Sequence, residues 1–314
     1  MAETAEKTQV NVMQTPLGTF PLARYKTFFN TSKPVVFGFD PSKTDRPDTA
    51  LHIAQSVKRP VWNIGYARDE QDSVKLVADA GREARFLLKG PSEAVPLVPE
   101  LEKLVLELAV LAGLEAAEAW LVETPAKQVS LLVKRADAPV KNKPSAPVKA
   151  VLPEASAATT WEQLATAVKK GSSHSGFDLL GVLERALFSY LIGAYNVSPR
   201  KFFFVEDAAG LKKMGPISGY LPMLTMFSKQ IDPQDFAFPL NSKTRKLNVQ
   251  DFLHFGSTVG LYGKQIDNAV RRFADVLPVW EQHIKACPLP TSYRNDLLDL
   301  IEQRAGRLMM RRRF

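Results

Sequence analysis

Cysteine is almost missing from this chain of 314 residues, and Cys287 stands alone. A lone cysteine excludes an internal disulfide framework and any metal centre built on several thiolates. Histidine is scarce as well. His52, His174, His254 and His283 are scattered, without the spacing that puts two imidazoles on one helix face. No apolar run reaches the roughly 20 residues of a membrane-spanning helix. The N-terminal MAETAEK is polar and lacks the apolar stretch of a signal peptide. Acid is in deficit too: 33 Asp and Glu face 41 Lys and Arg, a net charge of +8. Together these absences lead us to expect a cytoplasmic protein with no membrane contact and no bound metal.

What remains is ordinary in composition. The chain is 45% hydrophobic and 24% charged, and long enough for two lobes with a sizeable core. Its positive balance suits an acidic partner such as nucleic acid, or simply solubility. Over most of the chain basic and acidic residues alternate. Two places break that pattern. Residues 140–158 hold Lys141, Lys143 and Lys149 against Glu154 alone, and the C-terminus carries Arg304, Arg307, Arg311, Arg312 and Arg313. The terminal arginines are a candidate surface for nucleic acid or a protein. Complementing the C-terminal end of a helix dipole is the competing role.

Residues 1–15 read as a frayed tail. The stretch 33–40 (KPVVFGFD) and the stretch 84–89 (ARFLLK) read as strands, the second ended by Gly90 and Pro91. Leu97, Leu101, Leu104, Val105, Leu108 and Leu111 recur at helical spacing, with Gly113 as the stop. Strands follow at 120–122 and 128–134. Residues 136–158 are rich in Pro, Ala and Lys and read as a flexible linker. The remainder reads as helical. Thr159 and Glu162 suggest a capping box, Leu180, Leu183, Leu187, Tyr190 and Leu191 an amphipathic stripe, and Asn248 a helix cap. Two more helices are expected at about 264–284 and 293–311. The expected layout is α+β: a tail (1–15), a small mixed lobe (16–135), the linker (136–158) and a helical lobe (159–314).

The segment from Leu187 to Val205 (LFSYLIGAYNVSPRKFFFV) carries the most information. It is an amphipathic helix, a break after Gly193, a short polar turn and a hydrophobic strand. The turn offers Asn196, Ser198, Arg200 and Lys201, and no carboxylate. None of the four is a strong base at neutral pH, and two are cations.

This segment resembles the catalytic loop of the HipA-like kinases, the bacterial toxin-type serine/threonine kinases. Two other blocks share the resemblance. Residues 86–91 (FLLKGP) with 99–102 (PELE) and 108–113 (LAVLAG) are similar to that family's nucleotide-lysine strand and glutamate-bearing helix. Residues 240–247 (LNSKTRKL) with Asp251, Phe252 and the helical tail resemble its C-terminal lobe. The resemblance implies a bilobal, HipA-type kinase-like fold over about residues 83–310.

The resemblance also implies roles, residue by residue. It puts Lys89 where the family holds nucleotide phosphates and Glu102 where a glutamate orients that lysine. At the catalytic loop the family's first asparagine is Ala194, its aspartate is Asn196, its histidine Ser198, its lysine Arg200, and its metal-binding asparagine Lys201. The second metal aspartate falls on Thr225, in the stretch 221–226 (LPMLTM). The phosphate loop falls on 70–75 (EQDSVK), without its glycine. Base, metal ligands and phosphate-loop glycine are thus all replaced, as in a pseudokinase. A neutral amide at 196 cannot take the acceptor's proton. An ammonium at 201 repels Mg²⁺ instead of binding it.

The leading expectation is a degenerate kinase that acts by binding, in a regulatory role with a protein partner. Lys89 and Glu102 would hold a nucleotide, ATP without Mg²⁺, while Arg200 and Lys201 would form an anion pocket. A solvated turn is the plain alternative for those two. An active toxin-type kinase or nucleotidyl transferase with relocated acids (Asp207, Asp232 or Asp235) is the second expectation. A DNA-binding accessory protein is the third.

Overall fold

Helical spacing of leucine and valine is realised in α1 (Val98–Leu111), which buries Val98, Leu101, Leu104, Val105 and Leu108 to 1% exposure or less. Each such side chain contributes about 1.5–3 kcal/mol by leaving water. The computed structural model describes residues 12–15, 18–21, 49–53, 57–68, 74–78, 85–93, 95, 97–123, 129–136, 149–153, 159–207, 209–226 and 234–310. Between residues 12 and 78 the side chains described are those of Arg59 and Val61. The strand expected at 33–40 lies outside the described residues.

The small lobe is an antiparallel sheet carrying α1. Its strands are β3 (Thr49–Ile53), β4 (Val57–Arg68), β5 (Val74–Ala78), β6 (Phe86–Lys89), β7 (Ala119–Glu123) and β8 (Val129–Lys134). They follow the order β3-β4-β6-β8-β7, with β5 also pairing with β4. Earlier in the chain, β1 (Val12–Thr15) and β2 (Gly18–Pro21) form a separate two-stranded ribbon. The stretch 1–15 therefore includes a strand and is not tail throughout. In β8, Leu131, Leu132 and Val133 are all buried, because α1 covers one face and neighbouring strands flank both edges.

Register fixes how far each end of β4 lies from Lys89. Val61 of β4 lies opposite Lys89, and the strand runs back from there through Arg59 to Val57, paired with Ile53. In the other direction it runs to Arg68, paired with Val74. Val74 and Lys75, at the end of the 70–75 stretch that the resemblance makes the phosphate loop, thus lie about 20 Å along β4 from the level of Lys89, at about 3.3 Å per residue, while residues 70–73 lie outside the described residues.

Residues 149–153, within the stretch read as a linker, are described. Lys149–Ala150 forms β9, which pairs with β10 (Phe203–Glu206), and Val151 is buried with its N–H on the Phe202 carbonyl. Strand β11 (Lys212–Met214) completes this second sheet as a hairpin with β10. Phe202 and Phe204 are buried, and Phe202 packs edge-on against Trp161.

The helical lobe holds α2 (Trp161–Gly171), α3 (Ser175–Leu191), the short α4 (Met223–Met226), α5 (Val249–Val259), α6 (Gly263–Ala286) and α7 (Thr291–Arg307). The α2 capping box is Thr160 with Gln163, one residue later than the Thr159 and Glu162 pattern suggested. Asn248 caps α5 as expected, reciprocated by Asp251. Helix α3 is the hub. It is buried on almost every side from Val182 to Leu191, which marks a helix surrounded by others. It ends at Gly193, φ +69°, where Gly193 N–H bonds Tyr190 and Ala194 N–H bonds Ser189. A glycine is needed there because that left-handed turn strains other residues. The two lobes share one apolar core. Across it Trp280 of α6 donates its indole N–H to the Leu108 carbonyl at 2.9 Å, and His283 meets Glu107 at 2.8 Å.

Candidate functional site

Strand periodicity brings the first cations together. Val61 and Lys89 are cross-strand partners, so their side chains share a face, and Arg59, two residues before Val61, shares it too. That is the face α1 covers. Glu102 of α1 receives both cations: one carboxylate oxygen takes Arg59 Nη2, and the other takes Lys89 Nζ at 2.6 Å. Arg59 is 1% exposed, Lys89 5% and Glu102 0%.

The helical lobe supplies the opposite wall. A 3-10 turn, Pro199–Lys201, aims Lys201 back toward the segment that follows β11. Lys201 Nζ donates to the Gly219 carbonyl at 2.7 Å, and Asn196 Nδ2 donates to the same oxygen at 2.7 Å. Asn196 Oδ1 accepts from Leu221 N–H at 3.0 Å, so both ends of the amide hold backbone. Gly219 N–H in turn donates to Glu102 Oε1 at 3.2 Å. The Gly219 peptide is therefore tied on one side to the small lobe and on the other to the helical lobe. Ile217 stitches the same segment to residues 115–117 through two backbone hydrogen bonds. Gly219 has φ +71°, and a Cβ there would lie 2.9 Å from Lys201 Nζ.

Charges in this cluster are unbalanced: Arg59, Lys89 and Lys201 surround Glu102. Burial alone would push the Glu102 carboxyl up, but Arg59 and Lys89 outweigh it and hold it at about 2. Burial lowers the Lys89 ammonium, with Glu102 opposing and Arg59 reinforcing. Burial, helped by Lys89, brings Lys201 down to about 8. Chemically the cluster can neutralise and hold an anion. Its one acid, Glu102, is ionised but bound by two cations and far too weak a base at about 2 to take a hydroxyl proton, and the cluster contains no imidazole. Among the described residues no group of three or more His, Cys, Asp and Glu could hold a metal ion.

Of the residues to which the resemblance gives roles, Lys89, Glu102, Asn196 and Lys201 are linked through Glu102 and Gly219. Thr225 is not linked to them. Its hydroxyl bonds the Pro222 carbonyl at 2.8 Å, and it lines a groove with Asp296, Asp299, Leu300 and Gln303 against α7. The chain turns into α4 before reaching it, so Ser218, Gly219 and Tyr220 run past the cluster instead. Arg200 stands exposed on its turn.

The acids suggested as relocated bases are occupied elsewhere. Asp207 accepts the N–H groups of Ala209 and Leu211 and shapes the β10–β11 turn. Asp235 is buried, pairs with Arg304 at 2.9 Å and accepts Leu247 N–H at 2.9 Å. Asp232 lies outside the described residues. The arginine tail divides as well. Arg304 is 2% exposed, donates to the Tyr190 carbonyl and lies 4.6 Å from the Tyr190 ring centroid, so it fastens α7 to α3 and is not a surface cation. Arg307 is partly exposed and 3.6 Å from Asp235. Arg311, Arg312 and Arg313 lie outside the described residues. Cys287 is buried, and burial pushes its thiol up to about 11, which leaves it unreactive.

Sequence reasoning missed Arg59 and Gly219. Arg59 carries a signal only through the register of β4 on β6, and Gly219 only through its positive φ.

No family model matches the sequence, and no curated protein matches it. Solved structures do match. The HipA toxin–antitoxin complex of Shewanella oneidensis MR-1, with HipB and its operator DNA, superposes with a TM-score of 0.64 at 12% identity, over 98% of this chain and 75% of that one. The Helicobacter pylori proinflammatory kinase CtkA superposes with a TM-score of 0.48 at 12% identity, over 82% of this chain and 93% of that one. The chain has a HipA-like kinase fold: a small antiparallel sheet with α1 packed on a mainly helical lobe.

Proposed function

We propose that this kinase-like fold works by binding and does not perform Mg²⁺-dependent phosphoryl transfer. One observation carries the reading. At the junction of the lobes, where transfer would need a base and hard oxygen ligands for the metal, the described side chains are Asn196 and the ammonium of Lys201, both donating to Gly219. An amide has no basicity to activate an acceptor hydroxyl. A protonated lysine excludes the divalent cation that would neutralise the transferred phosphoryl group. The paired Lys89 and Glu102, by contrast, remain arranged as for holding a phosphate.

The output of such a protein is a contact with another macromolecule in the cytoplasm. The Shewanella structure of like fold is a complex with a protein and operator DNA, which supports a protein or nucleic-acid partner here. Candidate surfaces are the exposed Arg200 turn and the terminal Arg311, Arg312 and Arg313. No helix among the described residues is long and apolar enough to cross a membrane.

The test is phosphoryl transfer from labelled ATP with Mg²⁺. No label is expected on the protein itself or on added protein substrates. Transfer that disappears in Lys89→Ala would overturn the reading.

A further inference from the structure

We propose that the groove between α6 and α7 is a docking site for a basic amphipathic helix of a partner protein. The groove belongs to the helical lobe and lies apart from the lobe junction, so the inference holds whether or not the protein transfers phosphate.

Shape is the first argument. Packed side by side, the two helices leave a cavity of about 730 Å³. Its floor is apolar: Leu277 and Trp280 of α6, Ile301 and Ala305 of α7, and Met310 just past α7. Gly306 follows Ala305, and a Cβ built on it would meet nothing within 4 Å. The wall of α7 is therefore low at this point, and a large apolar side chain has room to enter. Every lining residue belongs to α6, to α7 or is Met310, so no strand edge is offered for backbone pairing. A helix satisfies its own backbone and enters such a groove with apolar anchors at i, i+3, i+4 and i+7.

Charge is the second. The chain as a whole is basic, at +8, yet this face is acidic. Glu281, Asp299 and Glu302 rim the groove against Lys285, which is already paired with Glu281 at 2.7 Å. Neither Asp299 nor Glu302 is ion-paired among the described residues. Asp296, Asp299 and Glu302 step along the exposed side of α7 three residues apart. Asp299 also lines the groove on the other flank of that helix, together with Asp296. The hollow on the far side of α6 repeats the pattern, with Asp267 and Asp275 against Arg271. Such a field attracts arginine and lysine and repels nucleic acid and anionic membrane alike. The fitting occupant is a protein segment whose apolar anchors are flanked by cations.

Length separates that occupant from the chain's own end. Arg311, Arg312, Arg313 and Phe314 follow Met310 and carry the same chemistry. Four residues span at most about 14 Å. Asp296 lies about 21 Å back along α7 from Met310, at about 1.5 Å per residue. Meeting the whole acidic ridge takes a longer segment.

The experiment is fluorescence anisotropy with the full chain and labelled synthetic peptides of about 15 residues, long enough as a helix to follow the ridge. The first peptide has leucines at i, i+3, i+4 and i+7 and arginines elsewhere. The second holds the same residues in scrambled order, and the third has Glu for Arg. The first is expected to bind in the micromolar range, and the others about tenfold more weakly or worse. Asp299→Lys combined with Glu302→Lys, both exposed, is expected to weaken the first peptide about tenfold at low salt, and less as salt rises. Gly306→Gln favours the helix and fills the open space beside Ala305, so it should weaken binding severalfold with the circular dichroism spectrum unchanged. Glu118→Lys, an exposed acid of the small lobe, is the charge control and should change nothing. No binding of the first peptide at about 1 mM, equal binding of the scrambled one, or binding that either groove variant leaves unchanged overturns the proposal. Binding that appears only after Arg311, Arg312 and Arg313 are all changed to Gln assigns the groove to the chain's own end and overturns it too. The labelled-ATP assay reads the lobe junction and not this groove, so either claim can fail alone.

Discussion

Lys201 and Asn196 converge on one carbonyl, that of Gly219, each donating at 2.7 Å. They stand five positions apart along the chain, and the 3-10 turn that ends at Lys201 folds the lysine back beside the amide. The Gly219 N–H is bound to Glu102. A single peptide unit is thus gripped from both lobes, and changes to its three side-chain partners, Asn196, Lys201 and Glu102, should be felt as stability.

Glu102→Gln leaves Arg59 and Lys89 buried without their counter-charge. Breaking a buried ion pair from one side costs about 3–5 kcal/mol. Urea unfolding should show that loss, and millimolar phosphate should restore part of it, because a dianion supplies the missing charge. A loss under 1 kcal/mol would mean that the three side chains do not meet as described.

Acid should unfold the protein through the same residue. The Glu102 carboxyl lies at about 2 in the fold against an ordinary 4.5, so its contribution is complete above about 4.5 and lost as pH falls toward 2. Lys201 acts at the other end. Its folded value is about 8 against 10.5, so the unfolded chain binds more protons across that window and stability rises with pH through it. The difference in Tm between wild type and Lys201→Gln, followed from pH 7 to about 10, isolates the lysine from Lys89, which shifts in the same direction. A pH-independent difference would contradict the burial of Lys201 in a cationic cluster.

Asn196→Ala removes a donor to Gly219 and the acceptor of the buried Leu221 N–H. Leaving that N–H unmet should cost about 1–3 kcal/mol. Because the side chain holds backbone and does not act as a base, the variant is not expected to alter any phosphoryl transfer. Asn196→Asp is expected to leave transfer undetectable as well, since Lys201 still stands at the position that the resemblance gives to a metal ligand. Label incorporation by Asn196→Asp with Mg²⁺ would show that a single acid restores the chemistry.

Arg304→Ala should destabilise by about 3–5 kcal/mol, because Asp235 is left buried and charged. Its effect on nucleic-acid binding should follow unfolding only. Replacing Arg311, Arg312 and Arg313 together by Gln tests the surface role. If that tail meets DNA, a gel shift should weaken and its salt dependence flatten by up to about three released counterions. An unchanged shift removes the tail from the interface.

Most of the architecture could be read from the chain. Helical spacing predicted α1 and α3, glycine marked their ends, and the order of strands and helices carried the resemblance to the fold that the structural match supports. Features within one element or one turn were legible because local geometry fixes them: Asn196 and Lys201 on one turn, and Asn248 as the cap of α5. Thr225, Asp235 and Arg304 were misread for the opposite reason. Each was judged by position in the sequence, while its partners lie on elements far along the chain: α7 for Thr225, and α3 for the Arg304 that holds Asp235.

The sequence by itself determined what is missing: no carboxylate between Gly193 and Phe204, a cation at 201, a lysine and a glutamate 13 residues apart on a strand and a helix. Composition and local periodicity are properties of the chain, and no folding can add an acid to that turn. Only the tertiary structure decided where the charge gathers. Arg59 reaches Glu102 through the register of β4 on β6, and Lys201 reaches the cluster through a peptide at Gly219 that packing against both lobes holds in place. Those are long-range contacts, set by side chains distant in the chain competing to leave water together, and no short stretch of residues encodes them.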